Sequence, residues 1–367
     1  MRARARPKKI DYFFILLVFL LAAFGLAMLA SASSDLGKTK FNDTYYYLKH
    51  QILYGLIPGI LGFFIAANVY YRRWEKLSLV LLVAGIGLLI LVFTPMGILS
   101  GGARRWLAFG NFSFQPSEIV KFVLLFYLAA WLSRNKDRTQ KFISGFLPLI
   151  FLLVFICGIL LVQHSTSAAM IIGISAVAVY FISGARFRYI LAIILLGVLV
   201  LLLVIQFTPY RFERIKAFLE PQADPLGKSF QQNQTLMAIG SGRLWGRGYG
   251  QSTTKIHGLP EPIGDSIFAV IAEELGFVGA AGLVVAFFLL IWRSFAIAGR
   301  NPDNFAKIVA IGFGLIVGLQ VFTHIAALTG LIPLTGVPLP FISYGGTALA
   351  VFLTMAGVVA NISKYNS

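Results

Sequence analysis

The residues best suited to chemistry are acids at the end of one long polar stretch: Glu261, Asp265, and the pair Glu273 and Glu274. Asp265 stands where a water-facing interruption, beginning near Pro209, gives way to an apolar segment that runs past Gly279. A carboxylate at such a boundary is costly unless it is paired or used, and one chemical use is to take a proton from a hydroxyl as general base. Asp265 has a second reading as the N-cap of the following helix, and the two roles are compatible. At 100° per residue, Glu273 falls about 80° and Glu274 about 180° round that helix from Asp265, so only one of the pair can share its face.

Cationic candidates flank these acids. In GGARRWLAFGNFSFQPSEIVK, Arg104 and Arg105 can clamp an anionic headgroup beside Trp106, or can simply anchor the chain at the interface. Glu118 and Lys121 in the same stretch sit three residues apart on one helical face, able either to neutralise each other inside a membrane or to face a substrate. Ser117, after Pro116, is the expected N-cap there. In GSGRLWGRGYGQS, glycines alternate with Arg243, Trp245, Arg247 and Tyr249; such a loop binds phosphate and sugar or forms a tight re-entrant structure, and it lacks the ending of a nucleotide-binding loop. His164 and His324 are isolated from the partners a metal or proton relay needs and read first as hydrogen-bonded structural residues. The single Cys157 lies in an apolar segment and reads as packing.

What must position these groups is a membrane-spanning framework. The chain has 367 residues, 58% hydrophobic and 12% charged, outside the range of soluble domains. Its formal charge of +17 is dispersed in short breaks between apolar segments, which favours a membrane protein over a nucleic-acid binder. About 20 apolar residues cross a bilayer as a helix. That window gives ten candidate spans, near 12–31, 49–69, 77–94, 117–133, 143–162, 166–183, 189–208, 266–292, 307–329 and 346–362. Basic residues such as Arg2, Arg4, Arg6, Lys8, Lys9, Arg72, Arg73, Lys76, Arg134, Lys136, Arg293, Arg300 and Lys364 concentrate on one side, so both termini are expected to be cytoplasmic. The expected fold is all-α: one membrane domain over 1–367, with a long outer loop of about 209–265 between the seventh and eighth spans. Pro333, Pro338, Pro340, Gly336, Gly345 and Gly346 rule out a regular helix in the last outer loop, which is expected to wall the same outward site.

GARRW, FSFQPSEIVK, RFERIKAFLEPQADPLG, AIGSG, GRGYGQS, LPE with Asp265 four residues on, IFAVIAEELGFVG and PLPFISYGGT, in this order over nearly the whole chain, resemble the SEDS family of shape, elongation, division and sporulation proteins. The likeness is to its division (FtsW) branch first and its elongation (RodA) branch second. The resemblance implies ten transmembrane helices in the bacterial cytoplasmic membrane and polymerisation of lipid II into β-1,4 glycan strands at the outer face. It also implies a class B penicillin-binding protein as partner, with other divisome or elongasome proteins and membrane lipids around it. The family's essential aspartate falls on Asp265, and its fourth-helix Glu and Lys fall on Glu118 and Lys121. The sequence departs from the family pattern at Ile263 and Gly264, where His and Thr are usual, at His164 and Ser165, where Pro-Asp is usual, and at His324, where Asn is common.

The mechanism expected from this resemblance is an inverting displacement, with Asp265 as base on a sugar hydroxyl and undecaprenyl pyrophosphate leaving. Arg104, Arg105, Lys121, Arg243, Arg247, Glu118 and Glu261 are the substrate-binding candidates. A divalent cation, Mg²⁺ or Mn²⁺, suits a pyrophosphate leaving group, although no dedicated cage is visible in the sequence. Two rivals use the same features: a lipid II flippase, and a noncatalytic division scaffold.

Overall fold

A computed structural model describes residues 9–100, 102–110, 112–220, 229–256 and 258–366. Arg2, Arg4, Arg6 and Lys8, and residues 221–228 of the long loop, lie outside the described residues.

The apolar segments become helices because a helix satisfies its own backbone hydrogen bonds where no water is available. In chain order these are α1 (Tyr12–Phe41), then α2 (Tyr46–Gln51) and α3 (Ile57–Asn68), which a π-turn over Ile52–Leu56 joins into one span, then α4 (Arg72–Leu91). α5 (Pro116–Arg134) is followed by α6 (Leu147–Val162), extended at its start by a π-turn from Phe142, and by α7 (Thr166–Ile182) and α8 (Phe187–Gln206). The long loop carries two short helices, α9 (Pro209–Leu219) and α10 (Phe230–Ser241), before α11 (Ile267–Arg300), α12 (Asn304–Leu328) and α13 (Gly346–Ser363). Among the described residues, nine helices are long and apolar enough to cross a membrane, and α7 is a shorter apolar helix of 17 residues.

One expectation needs amending. The second outer loop holds a three-stranded antiparallel sheet, β1 (Gly97–Ser100), β2 (Ala103–Phe109) and β3 (Phe112–Phe114), so the molecule is mostly rather than wholly helical. The alternation of Ala103, Arg105 and Leu107 against Arg104 and Trp106 is the period of a strand, and pairing of Leu107 with both Gly97 and Phe114 closes the meander. The cap assigned to Ser117 is also displaced. Gln115 takes the N-cap position and Pro116 begins α5, because proline has no N–H to satisfy and its φ already suits the first turn.

α5, α12 and α13 are mostly buried, whereas α4 and α8 turn most of their surface outward, as lipid-facing helices do. α3 and α13 pack closely through small residues: a Cβ on Gly357 would stand 2.4 Å from the carbonyl oxygen of Phe63, and one on Gly59 would stand 2.6 Å from Leu353. At one end of the bundle, Asp11 donates its N–H to Ser363 Oγ at 3.0 Å and receives Arg293 at 2.8 Å. Arg72 reaches Asp303 at 2.7 Å at the same end. At the other end, Gly345 donates to Gln51 Oε1 at 3.0 Å and Tyr344 donates its N–H to the Ile263 carbonyl at 2.8 Å. Asp265, two residues on from Ile263, therefore lies at the end of the bundle away from Asp11.

The glycine-rich loop is welded to α11. Arg247 and Gly248 donate their N–H groups to the Glu273 and Glu274 carbonyls at 3.0 Å each, and Phe277 returns one to the Arg243 carbonyl at 2.8 Å. This exchange needs α11 to open at Gly276, which has φ 67° and ψ −168°. It also needs Gly246, where a Cβ would meet the Glu274 carbonyl at 2.2 Å. The side chains of Glu273 and Glu274 then turn into the loop. Glu273 accepts from Ser252 Oγ at 2.6 Å and from the Thr253 N–H at 3.1 Å; Glu274 pairs with Lys255 at 2.7 Å and accepts from Ser31 Oγ.

Candidate active site

Asp265 does not cap a helix. Ser266 occupies the N-cap position of α11, and its hydroxyl donates to the Pro260 carbonyl at 2.7 Å. The turn before it is set by Glu261, held at φ 48°, whose carbonyl accepts from the N–H groups of Gly264 and Ser266 at 3.1 Å each. This turn leaves the Asp265 carboxyl aimed into a narrow cavity of about 10 Å³ whose lining includes Arg214, Gln231, His324, Thr335 and Gly336.

Each wall has its own support. The last outer loop supplies one: Gly336, at φ +65°, lies so close that a Cβ there would stand 3.0 Å from Asp265 Oδ2. Arg214 of α9 donates Nη1 to the Leu334 carbonyl at 3.1 Å, and Ser167 of α7 donates to the Thr335 carbonyl. His324 of α12 donates Nδ1–H to the Val337 carbonyl at 2.7 Å, since a carbonyl can only accept, and this directs its Nε2 away from that loop. The proline- and glycine-rich loop is thus held in three places beside the carboxylate.

Burial holds the Asp265 pKa above the ordinary carboxylate value, and the negative charge of Glu261 pushes it further up; Arg214 and then Arg105 act in the opposite sense. A carboxylate tuned upward in this way is a better proton acceptor than one in water. The cavity holds about one water molecule, so a larger group can reach Asp265 only from outside it, and Glu261 nearby is exposed.

The predicted residues separate into groups. Arg105 is half-buried on the face of β2 that carries buried Ala103 and Leu107; its guanidinium donates to the carbonyls of Gln163 and His164, and its charge reaches Asp265. Arg104 is exposed on the opposite face of the strand, so the strand period divides the expected pair. Glu261 and Asp265 are neighbours. Glu118 and Lys121 form a buried ion pair at 2.6 Å, and Lys121 faces a cavity between α5, α7 and α12 that does not share lining residues with the Asp265 cavity. Arg247 turns back to Thr253 and Glu273, while Arg243 is exposed at φ 49°. His164 contributes its carbonyl rather than its ring, and Cys157 donates weakly to the Ala169 carbonyl within the helix bundle.

Arg214 and Gln231 were not singled out in the sequence. Arg214 lies within RFERIKAFLEP, whose spacing on a short amphipathic helix gives no sign of what its cations face. Among the described residues, no three His, Cys, Asp or Glu side chains gather as a metal cluster. Glu261 and Asp265 supply carboxylate oxygens, the ligand type that hard divalent cations take.

A bundle of apolar helices with a desolvated carboxylate at one end, flanked by guanidinium groups and roofed by a rigid loop, defines an integral membrane protein with a candidate acid–base centre at the membrane edge. The chain belongs to the SEDS family: the profile of FtsW, RodA and SpoVE, described as cell cycle proteins, matches residues 11–367. It is 37% identical over 359 residues to a Geobacter sp. (strain M18) protein named "Probable peptidoglycan glycosyltransferase FtsW", covering 98% of each chain. It is likewise 37% identical over 357 residues to the stage V sporulation protein E of Bacillus subtilis (strain 168), covering 97% of each. Among solved structures it is similar to a chain described under "Structural coordination of polymerization and crosslinking by a peptidoglycan synthase complex", with TM-score 0.80, 28% identity and coverage of 96% of this chain and 97% of that one. It is also similar to the Thermus thermophilus rod shape determining protein RodA, with TM-score 0.72, 28% identity and 98% coverage of both.

Proposed function

We propose that this protein is a peptidoglycan glycosyltransferase that polymerises lipid II at the outer face of the bacterial cytoplasmic membrane. The observation that carries the reading is Asp265, desolvated and flanked by Arg105 and Arg214 at one end of the bundle; the family and the names of the relatives supply the substrate class. Asp265 accepts the proton of the 4-hydroxyl of an acceptor N-acetylglucosamine. The freed oxygen attacks the anomeric carbon of the donor N-acetylmuramic acid, the carbon–oxygen bond to phosphate breaks, and undecaprenyl pyrophosphate leaves. An α linkage becomes β in one displacement, so a single base suffices and no covalent enzyme intermediate forms. The leaving group needs positive charge more than a proton. Arg105 and Arg214 are the cations nearest in effect to Asp265, with Arg104, Arg243 and Arg247 on outer elements and Glu118 with Lys121 in the adjoining bundle completing the substrate-binding set.

The reading includes ten spans, α7 being the short one, in one membrane domain with both termini cytoplasmic; the basic residues at the Asp11 end supply the orientation. A class B penicillin-binding protein is the proposed partner, supported by the likeness to a chain of a peptidoglycan synthase complex.

The test is polymerisation of fluorescent lipid II by the purified protein with and without such a partner. Glycan strands are expected; movement of labelled lipid II across proteoliposomes without any joining would replace this reading with the transport rival. The pH profile tests the site itself. A base must be ionised, so the acid limb of kcat/KM is expected above pH 3.8, the ordinary aspartate value. Glu261→Gln removes a charge that raises the Asp265 pKa and should move this limb to lower pH. Arg214→Gln removes a charge that lowers it and should move the limb higher.

A further inference from the structure

The opposite end of the bundle holds a cavity of about 480 Å³ that the proposed reaction does not use. It lies where α3 ends, α4 begins and the chain leaves α13, and its lining includes Phe64, Ile65, Asn68, Tyr70, Arg73 and Tyr365. We infer that this cavity is a binding site for the headgroup of an anionic phospholipid, seated in the leaflet away from Asp265.

The chemistry of the lining divides along the membrane normal. Phe64 and Ile65, 56% and 61% exposed on the last turns of α3, continue the outward-facing apolar surface of that span and suit acyl chain and glycerol. Asn68, Tyr70, Arg73 and Tyr365 lie beyond the end of the apolar stretch, with the two tyrosine rings 4.9 Å apart, at the depth where aromatic residues and headgroups meet. No acid is among the lining residues, so an anion entering the cavity meets no like charge from its walls.

The cations around the cavity differ in what they already hold. Arg72 is committed to Asp303 at 2.7 Å, and Lys364 donates to the Ala67 carbonyl at 2.7 Å, closing the end of α3. The side chain of Arg73 is exposed and has no acceptor among the described residues. A guanidinium presents a planar fork that matches two phosphate oxygens, and it gains more from such a pair at a membrane interface than in bulk water. The volume falls in the range of about 300–1,000 Å³ usual for small-ligand sites, enough for a phosphodiester headgroup with its glycerol. A soluble anion has no use for the apolar wall, whereas a phospholipid uses both halves.

The experiment titrates the full-length protein in detergent with phosphatidylglycerol, phosphatidylethanolamine or inorganic phosphate and reads the thermal unfolding midpoint, which rises with any ligand selective for the folded state. Phosphatidylglycerol is expected to raise it at about one-tenth the concentration that phosphatidylethanolamine needs, and inorganic phosphate is expected to leave it unchanged. Arg73→Gln should weaken the phosphatidylglycerol effect about 10-fold, while Arg134→Gln, a basic residue outside the cavity, should leave it intact. Should Arg73→Gln lower the midpoint of the lipid-free protein, Arg73→Lys carries the test: it keeps the charge, loses the fork, and is expected to weaken binding about 3-fold. Equal action of the two lipids, an equal effect of inorganic phosphate, an equal loss in Arg134→Gln, or undiminished binding in both Arg73 variants overturns the assignment.

Discussion

Replacing Asp265 by Asn is expected to reduce lipid II polymerisation by at least about 100-fold, the lower end of what a positioned general base contributes, while leaving the protein as stable as before or more so. The two halves of this expectation come from one observation. Burial and the neighbouring Glu261 raise the Asp265 pKa in the folded protein, so at neutral pH the ionised carboxylate favours the unfolded chain, where it titrates at its ordinary value. That cost is removed as the pH falls through the raised folded pKa, and it is removed at every pH by a neutral amide of the same shape. A residue held for structure behaves in the opposite way: its loss lowers the unfolding midpoint. Asp265 has no capping role to lose, since Ser266 is the N-cap and its hydroxyl serves Pro260. Polymerisation of fluorescent lipid II, read beside a thermal melt of the same preparation, checks both halves. An Asp265→Asn protein that polymerises at the wild-type rate removes the base from the mechanism, and one that is inactive because it no longer melts cooperatively removes the stability half.

The second large effect concerns the platform rather than the site. Lys255 is buried, with its Nζ 2.7 Å from Glu274 Oε1, 2.9 Å from Ser31 Oγ and 3.1 Å from the Gly250 carbonyl. Through this one ammonium, the outer loop, α1 and α11 share a contact. Lys255→Met keeps the length of the stem but strands the Glu274 carboxylate, leaving it Ser31 Oγ and the Gly250 N–H among the described residues. Breaking a buried pair from one side costs about 3–5 kcal/mol, so a marked fall in the unfolding midpoint is expected, with loss of polymerisation as the loop leaves α11. Adding Glu274→Gln to Lys255→Met should recover much of the midpoint, because the stranded charge, rather than the lost attraction, dominates the penalty. If Lys255→Met melts like the wild type, the network does not hold the loop. If the double variant is no better than the single one, the penalty comes from packing rather than charge.

The apolar helices and the family were legible because each rests on a local property of the chain. Helix length and apolarity set the spans, and the motif order set the family. The roles of Glu273 and Glu274 were not legible in the same way. Helical geometry allowed only one of them near Asp265, and the structure turns both into the loop, because α11 starts after Asp265 and opens at Gly276. Glycine at 242 and 246, within GSGRLWGRGYGQS, reads in the sequence as permission for a ligand to approach, or for a tight loop. The structure uses it for backbone against backbone: a Cβ at Gly242 would meet the Ala272 carbonyl at 1.9 Å. Arg104 and Arg105 looked equivalent in GARRW until the strand period sent them to opposite faces.

The sequence by itself determined that this is a polytopic membrane protein of the SEDS family, because hydrophobic length, charge placement and motif order are properties of the chain read along its axis. Only the tertiary structure decided which cations stand with Asp265. Arg105 comes from a strand, Arg214 from a loop helix and the roof from residues 334–337, segments separated by more than one hundred positions in the sequence. Their convergence depends on helix packing and on side chains gripping distant carbonyls, such as Arg214 on Leu334 and His324 on Val337. Spacing along a chain carries no record of such contacts, since the free energy that fixes them comes from burial and hydrogen bonds between elements rather than within them.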